Sequence, residues 1–391
     1  MSAVVAREAA AAWAVGRGVL LLTLVLAPCA PVAPGDARAQ APGPRSSKTC
    51  VACHGTIQKA WLASAKAHSW TNPVFQAGLA EARAARGAWV AAKCLACHAP
   101  LASSADPAAQ DAVAKEGITC NFCHTVSAVE VSPKPASYTI DREQPNLMRG
   151  PYADAAPGSA HGAAFSEVFT KSDFCASCHW GQNDKGVLFE TSYPEWKSSR
   201  AAAAGRTCQD CHMPPAPGKA SPLAKKQRPA VWAHTFAGPR TKGGLDSVAT
   251  LAAAVEAGKL RITVRNARAG HALPGGGHSM RSITLEAVWL DATGKELSRA
   301  SVATYGTEFA DSTGKGPVPK WVAASVLRSR SIPPDSEVVE RADIPAGAKR
   351  ARAVLTFQPI APAFRARLEA ARVDLTGRDP VVLAKTEVTL P

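Results

Sequence analysis

Large apolar side chains are scarce in this chain. Aromatic residues fill only 6% of its 391 positions, and methionine occurs 4 times. The 46% hydrophobic fraction argues against disorder, but it rests largely on small residues that bury little area each. The interior has room for something other than side chains. Long apolar runs are equally rare. One stretch, "VLLLTLVLA" (19–27), stands out, and it is too short to span a bilayer. With Arg7 and Arg17 before it and "ARA" (37–39) after it, residues 1–39 read as a signal peptide, with an uncleaved anchor as the plainer alternative. A lipid anchor on Cys29 is opposed by Pro28, which stands where such signals want a small residue. The expected mature protein is periplasmic or extracellular, with no transmembrane span.

Basic runs are missing too. The formal charge is +14, yet no basic stretch interleaved with aromatic residues accompanies it, so the charge does not indicate a nucleic-acid partner.

Unpaired cysteines are also few. Ten of the eleven cysteines fall in CxxC pairs, and only Cys29 is left over. Each pair is followed by histidine: "CVACH" (50–54), "CLACH" (94–98), "CNFCH" (120–124), "CASCH" (175–179) and "CQDCH" (208–212). A chain with 10 histidines does not produce this by chance. CxxC alone fits a redox dithiol, half a zinc site or haem attachment, but neither of the first two needs the histidine. Covalent haem does. Two thiols three positions apart add to the two vinyl groups on one porphyrin edge, and the next residue lies under the iron. The expectation is five haem c groups, on Cys50/Cys53, Cys94/Cys97, Cys120/Cys123, Cys175/Cys178 and Cys208/Cys211. Their proximal iron ligands would be His54, His98, His124, His179 and His212. Haems are large apolar plates, which supplies the missing core. Two propionates on each would offset most of the +14 and give Lys and Arg local partners.

The motif starts are irregularly spaced, so this is not a strict repeat array. Thr49, Thr119 and Thr207 each precede a first cysteine, a hint of shared local geometry. Up to about residue 244 the sequence reads as short helices and loops. Ile57, Trp61, Ala65 and His68 share one helical face, and Asn72-Pro73 and Asp106-Pro107 look like helix starts. "PEWKSSRAAAAG" (194–205) reads as a helix closed by Gly205. From 245 onward the texture is β-type: "LRITVRN" (260–266), "SITLEAVWL" (282–290), "RASVATYGTEF" (299–309), "ARAVLTF" (351–357) and "VVLAKTEVTL" (381–390). "DATGK" (291–295) is a hairpin turn and "AFRARLEAA" (363–371) a helix. The expected architecture is a mostly α/loop multihaem cytochrome c domain (40–244) followed by an all-β, sandwich-like domain (245–391).

A haem with histidine on both faces passes electrons; one with an open face binds small molecules. Five histidines lie outside the motifs: His68, His161, His234, His271 and His278, the number complete bis-histidine ligation needs. The plainer reading is surface or hydrogen-bonding histidine. Met148, Met213 and Met280 are further possible ligands, with ordinary packing as the plainer reading.

The runs "CHGTIQKAWLASAKAHSW", "RGPYADAAPGSAH" leading to "DFCASCH", "GRTCQDCHMP", "AHTFAG" and "NARAGHALPGGG" followed by Arg281 resemble the multihaem cytochromes c related to cytochrome c554. The resemblance covers roughly 48–290 in short ordered motifs. It implies closely packed haems, electron transfer, and distal-ligand roles for His68, His161, His234 and His271. Gly275 stands where the family has threonine, and His278 has no counterpart in its pattern.

The loop "GHALPGGGH" should project from one end of the β domain, offer His271 to a haem and place Arg281 at a propionate. The expected function is an electron carrier between redox partner proteins. One competing reading is an oxidoreductase acting on a small nitrogen or sulfur compound at one open haem, against which the chain shows no CxxCK variant. A second is a subunit of an extracellular cytochrome filament; oligomerisation stays open.

Overall fold

Helices in the first half are short, and several start where the sequence supplies a capping side chain. The structure is a computed structural model that describes residues 44–102, 112–276 and 279–391. The signal-like segment 1–39, the Asp106-Pro107 helix start and His278 lie outside the described residues. Helix α1 (Val51–Leu62) ends earlier than the apolar spacing predicted. Ala65 and His68 fall in turns beyond it, where the His68 Nε2–H donates to the Leu62 carbonyl (2.9 Å). A histidine side chain thus satisfies a carbonyl that the helix end leaves open. Helix α2 (Pro73–Arg86) begins as expected, with Asn72 Oδ1 accepting from Val74 N (3.0 Å) and Pro73 in the first turn.

Helices α3 (Val90–His98), α4 (Cys120–Thr125), α5 (Asp173–His179), α6 (Ser192–Lys197), α7 (Arg200–Ala203) and α8 (Cys208–His212) follow. Thr119 and Thr207 do share a geometry, each capping the helix that carries its motif. Thr49 differs; its hydroxyl donates to the Ser46 carbonyl (2.8 Å). The helix predicted over 194–205 is broken in two, because Ser199 turns its side chain onto Ala202 N and starts a new cap. Short ladders link these helices: β1 (Val126–Val129) with β2 (Tyr138–Ile140), β3 (Leu147–Gly150) with β4 (Gly162–Phe165), β5 (Gly181–Gln182) with β6 (Leu188–Glu190), and β7 (Pro215–Gly218) with β8 (Arg228–Trp232). Side chains bury little here. The main apolar groups are Trp70, Leu79, Ala91, Leu95 and Ala99, and Leu101 with Phe122 and Val126.

The second half is sheet-rich. Its strands are β9 (Ala249–Glu256), β10 (Lys259–Asn266), β11 (Ser282–Leu290), β12 (Glu296–Ala310), β13 (Ser325–Arg330), β14 (Glu337–Asp343), β15 (Arg350–Gln358) and β16 (Val381–Thr389), with α9 (Pro362–Ala370) before the last. One sheet runs β14-β10-β9 and the other β13-β12-β11-β15-β16. All five expected strands, the Asp291–Lys295 turn and the 363–371 helix are present. Strands β10 and β15 alternate buried and partly exposed residues, as a sheet covered on one face requires. Leu260, Ile262 and Val264 from one sheet and Ile283, Leu285 and Leu355 from the other join a single core. Both halves belong to one compact unit. Among the described residues, no helix is long and apolar enough to cross a membrane.

Candidate haem sites

Each CxxCH motif lies on a helix or at its end. Cys53 and His54 sit on α1, with Cys50 as its N-cap; the other motifs lie on α3, α4, α5 and α8. At helical spacing, residues three apart share a face, so both thiols point the same way and the histidine follows one position on.

The fifth motif differs from the others in exposure. Nine motif cysteines are half-buried, but Cys211 is exposed, and its Sγ accepts from Arg206 Nη2 (3.2 Å). Helix α8 is five residues long. Its first residue is held against the preceding motif, with Cys208 N donating to Ser172 Oγ (3.0 Å). Five residues make little more than one turn, so the far end, with Cys211, lies clear of that packing and beside Arg206. As an attachment point Cys211 is a surface thiol rather than an interior one.

Three motif histidines face a histidine from far along the chain. His54 and His161 have ring centres 6.3 Å apart, His124 and His234 6.4 Å, and His212 and His271 6.3 Å. The last two pairs are close to parallel, at 23° and 12°, and the first is tilted at 31°. Two imidazoles on opposite sides of one metal, each nitrogen about 2 Å from it, put their ring centres roughly 6 Å apart. The residues present fit such a group.

The hydrogen bonds of these rings agree with that use. Nδ1 lies on a backbone carbonyl in His54 (Ala220, 2.8 Å), His124 (Arg149, 2.6 Å), His212 (Ala237, 2.5 Å), His161 (Gly162, 2.8 Å), His234 (Trp232, 3.0 Å) and His271 (Ala272, 2.9 Å). His98 Nδ1 is 3.4 Å from the Ser69 carbonyl. A proton fixed on Nδ1 leaves the Nε2 lone pair for a metal. Burial lowers the pKa of His124, His212 and His271 and brings His234 down to about 4, with His124 adding to that last effect. Neutral imidazole is the metal-binding form.

The remaining motif histidines have other surroundings. His98 stacks on Phe75, with ring centres 4.0 Å apart. His179 has Nδ1 3.9 Å from Glu190 Oε2 and Nε2 3.3 Å from Lys66 Nζ. His68, expected as a ligand from the resemblance, has Nε2 on the Leu62 carbonyl. Burial lowers the pKa of Arg281, the Glu190 carboxylate acts on it in the opposite sense, and His271 also feels its charge.

Thiols of different motifs also meet. Cys50 and Cys120, Cys97 and Cys178, and Cys175 and Cys208 lie close enough to shift one another's acidity. The first contact brings the Cys50 thiol down to about 7, whereas burial pushes Cys123 up to about 12. These contacts join α1 to α4, α3 to α5, and α5 to α8. Among the described residues no three His, Cys, Asp or Glu side chains converge as a zinc site would need.

The His271 loop is tied to the first half of the chain. Ala272 N donates to Glu195 Oε2 (3.1 Å), Thr191 N to the Gly276 carbonyl (3.2 Å), and Asn266 Nδ2 to the His271 carbonyl (2.9 Å). Glu190, Glu195 and Lys66 escaped the sequence reading. Their roles come from long-range packing; Glu195 and Lys66 stand in quoted runs, but nothing in those runs marks them as partners of a haem site.

Comparison with known proteins gives a consistent picture. The family described as "Cytochrome c554 and c-prime" matches residues 49–125. A pentahaem cytochrome c552 from Thermochromatium tepidum has a similar structure, with TM-score 0.68 and 20% identity, over 88% of this chain and 99% of that one. A superoxide reductase (TM-score 0.16, 12% identity, 37% of this chain and 87% of that one) shares too little to carry an argument. The same holds for an endonuclease/exonuclease/phosphatase from Beutenbergia cavernae (TM-score 0.14, 19% identity, 38% and 25%). Among curated proteins none matches. The motifs, the family match over 49–125 and the shared fold make this chain similar to the multihaem cytochromes c related to cytochrome c554.

Proposed function

We propose that this chain is an exported electron carrier with five covalently attached haems, mainly bis-histidine, that relays electrons between redox partner proteins. The observation that supports it most is the set of facing pairs His54/His161, His124/His234 and His212/His271. Bound haem c supplies a one-electron iron couple whose potential follows its axial ligands and burial. The protein's own part is to tether, orient and enclose. The motif thiols tether, the Nδ1 bonds hold each Nε2 outward, and an imidazole on each face leaves no open position for a substrate.

The thiol contacts support close packing. Cys50 with Cys120 brings together the attachment points of the first and third motifs. Cys178 meets Cys97 and acts electrostatically on Cys123, while Cys175 meets Cys208. The fourth motif is thus a junction that adjoins the second, third and fifth. The exposed Cys211 marks the solvent side of the fifth motif, a place where a redox partner can approach.

In this reading residues 1–39 direct export, 40–244 hold the haems, and 245–391 form a sandwich-like domain that lends His271 to the haem of His212. Arg281, close to His271, serves a propionate. Intact mass of the exported protein, with electron paramagnetic resonance (EPR) of its oxidised form, tests the reading. Five haem increments and mainly low-spin signals are expected. A mass short of five haems, or a mainly high-spin spectrum, overturns it.

A further inference from the structure

Arg149 takes part twice in the surroundings of the third motif, once through its backbone and once through its side chain. Its carbonyl accepts from His124 Nδ1 (2.6 Å) and so sets the ring that faces His234. Its side chain is 13% exposed and gives Nη2 to Asp141 Oδ2 (2.6 Å). Asp141 is itself fixed. Its Oδ1 accepts from Glu143 N (3.1 Å) and Gln144 N (3.0 Å), and its own N–H donates to the Thr125 carbonyl (2.9 Å) at the end of α4. The guanidinium is thus tied to the helix that carries Cys120, Cys123 and His124.

The other arm of the fork is different. Nη1 is buried and makes no hydrogen bond among the described residues. Asp141 balances the charge, so what is unmatched is a donor rather than a cation. A buried donor of a charged group is costly to leave unsatisfied, and the position calls for an acceptor. A planar fork with one arm on a carboxylate suits a second carboxylate on the other. Beside a haem attachment helix the propionates are carboxylates of that kind.

We propose that Arg149 Nη1 donates to a propionate of the haem attached at Cys120 and Cys123, while Asp141 holds the fork from the other side. This rests on the haem reading above. The first site is also near: His161 directly precedes β4, which pairs with the strand of Arg149, and His54 and His161 both act electrostatically on His124. A propionate of the first haem is therefore the competing acceptor. On the proposed assignment one residue holds the third haem at two points, the axial ring through a carbonyl and the rim through a side chain. Removing its charge makes an added electron less welcome on that iron and lowers the potential.

The test uses the holoprotein. A structure of the wild type should place Nη1 within about 3.2 Å of a propionate oxygen of the third haem. Arg149→Leu, Arg149→Lys and Asp141→Asn are then made in a His234→Ala background, whose high-spin band marks the third haem for potentiometric titration. Arg149→Leu should keep five haems by intact mass and shift the marked haem about tenfold toward the oxidised form, about 59 mV for one electron. Arg149→Lys, which keeps the charge, should recover most of that shift, and Asp141→Asn should move the potential upward. Nη1 on a propionate of the first haem, or on water alone, overturns the assignment. So does an unchanged potential in Arg149→Leu, or an equal shift in Arg149→Leu and Arg149→Lys, which would mark a packing effect. If Arg149→Leu does not fold, the wild-type structure still decides. A wild-type mass short of five haems, or no high-spin haem in His234→Ala, overturns the haem reading instead.

Discussion

At the residue scale, His271 is held on both sides, by Asn266 on its own carbonyl and by Glu195 on the next amide. His271→Ala should therefore leave the loop in place and remove only the ring facing His212. The expected result is one high-spin haem that binds carbon monoxide when reduced, read by EPR and optical titration; a fully low-spin spectrum would contradict the pairing. Tyr305 illustrates a different dependence. Fully buried, it donates to Glu340 Oε1 (2.8 Å), which Arg330 also contacts. Tyr305→Phe removes one partner of a buried carboxylate and should destabilise the β part by roughly 1–3 kcal/mol, seen as a lower midpoint in denaturant melts. Motif histidines are legible in sequence because CxxCH fixes both residue type and position. Exposure is not legible in the same way, since Cys211 reads in the sequence like any other second motif cysteine. Lys66 was not legible either, because lysine ordinarily reads as a surface cation and nothing local states that the fold aims it at His179.

At the scale of elements, the connection before the third motif supports the turn that carries Lys66. Gly117 has φ 77°, and a Cβ there would lie 2.9 Å from the Lys66 carbonyl oxygen. Gly117→Ala combines an unfavourable backbone conformation with that clash and should cost about 1–3 kcal/mol. A lower midpoint in denaturant melts of the variant would show the loss. Strand reading succeeded where β-branched and aromatic residues alternate, as in β11 and β15. It missed β9, whose "ATLAAAVE" has little strand propensity and becomes a strand by pairing with β10. The signal lay in the turn. Ala257 and Gly258 both have positive φ, 49° and 74°, the backbone of a two-residue hairpin connection. Strands β13 and β14 lacked even that: β13 is exposed along its whole length, and β14 is set by pairing with β10, distant in sequence.

At the scale of the molecule, the two halves hold themselves together by different means. The β half has one extended core, whereas the buried side chains of the haem half form small groups around the motifs. Replacing all ten motif cysteines with serine should leave residues 245–391 protected and expose 44–244, as mapped by hydrogen exchange. Protection throughout the first half would refute that dependence. The facing histidines have a further consequence, for chain topology. On the proposed pairing the spans 54–161, 124–234 and 212–271 overlap in succession, so that each bridge through an iron would close a loop that begins inside the previous one. A covalent link closing roughly a hundred residues removes unfolded-state entropy worth about 4 to 5 kcal/mol, and an axial bond would act in the same sense while it lasts. Interleaved in this way, the loops would form a clasp. Were one axial bond to let go, the adjoining loops would still restrain the freed segment, and a haem could change ligand without the chain coming apart.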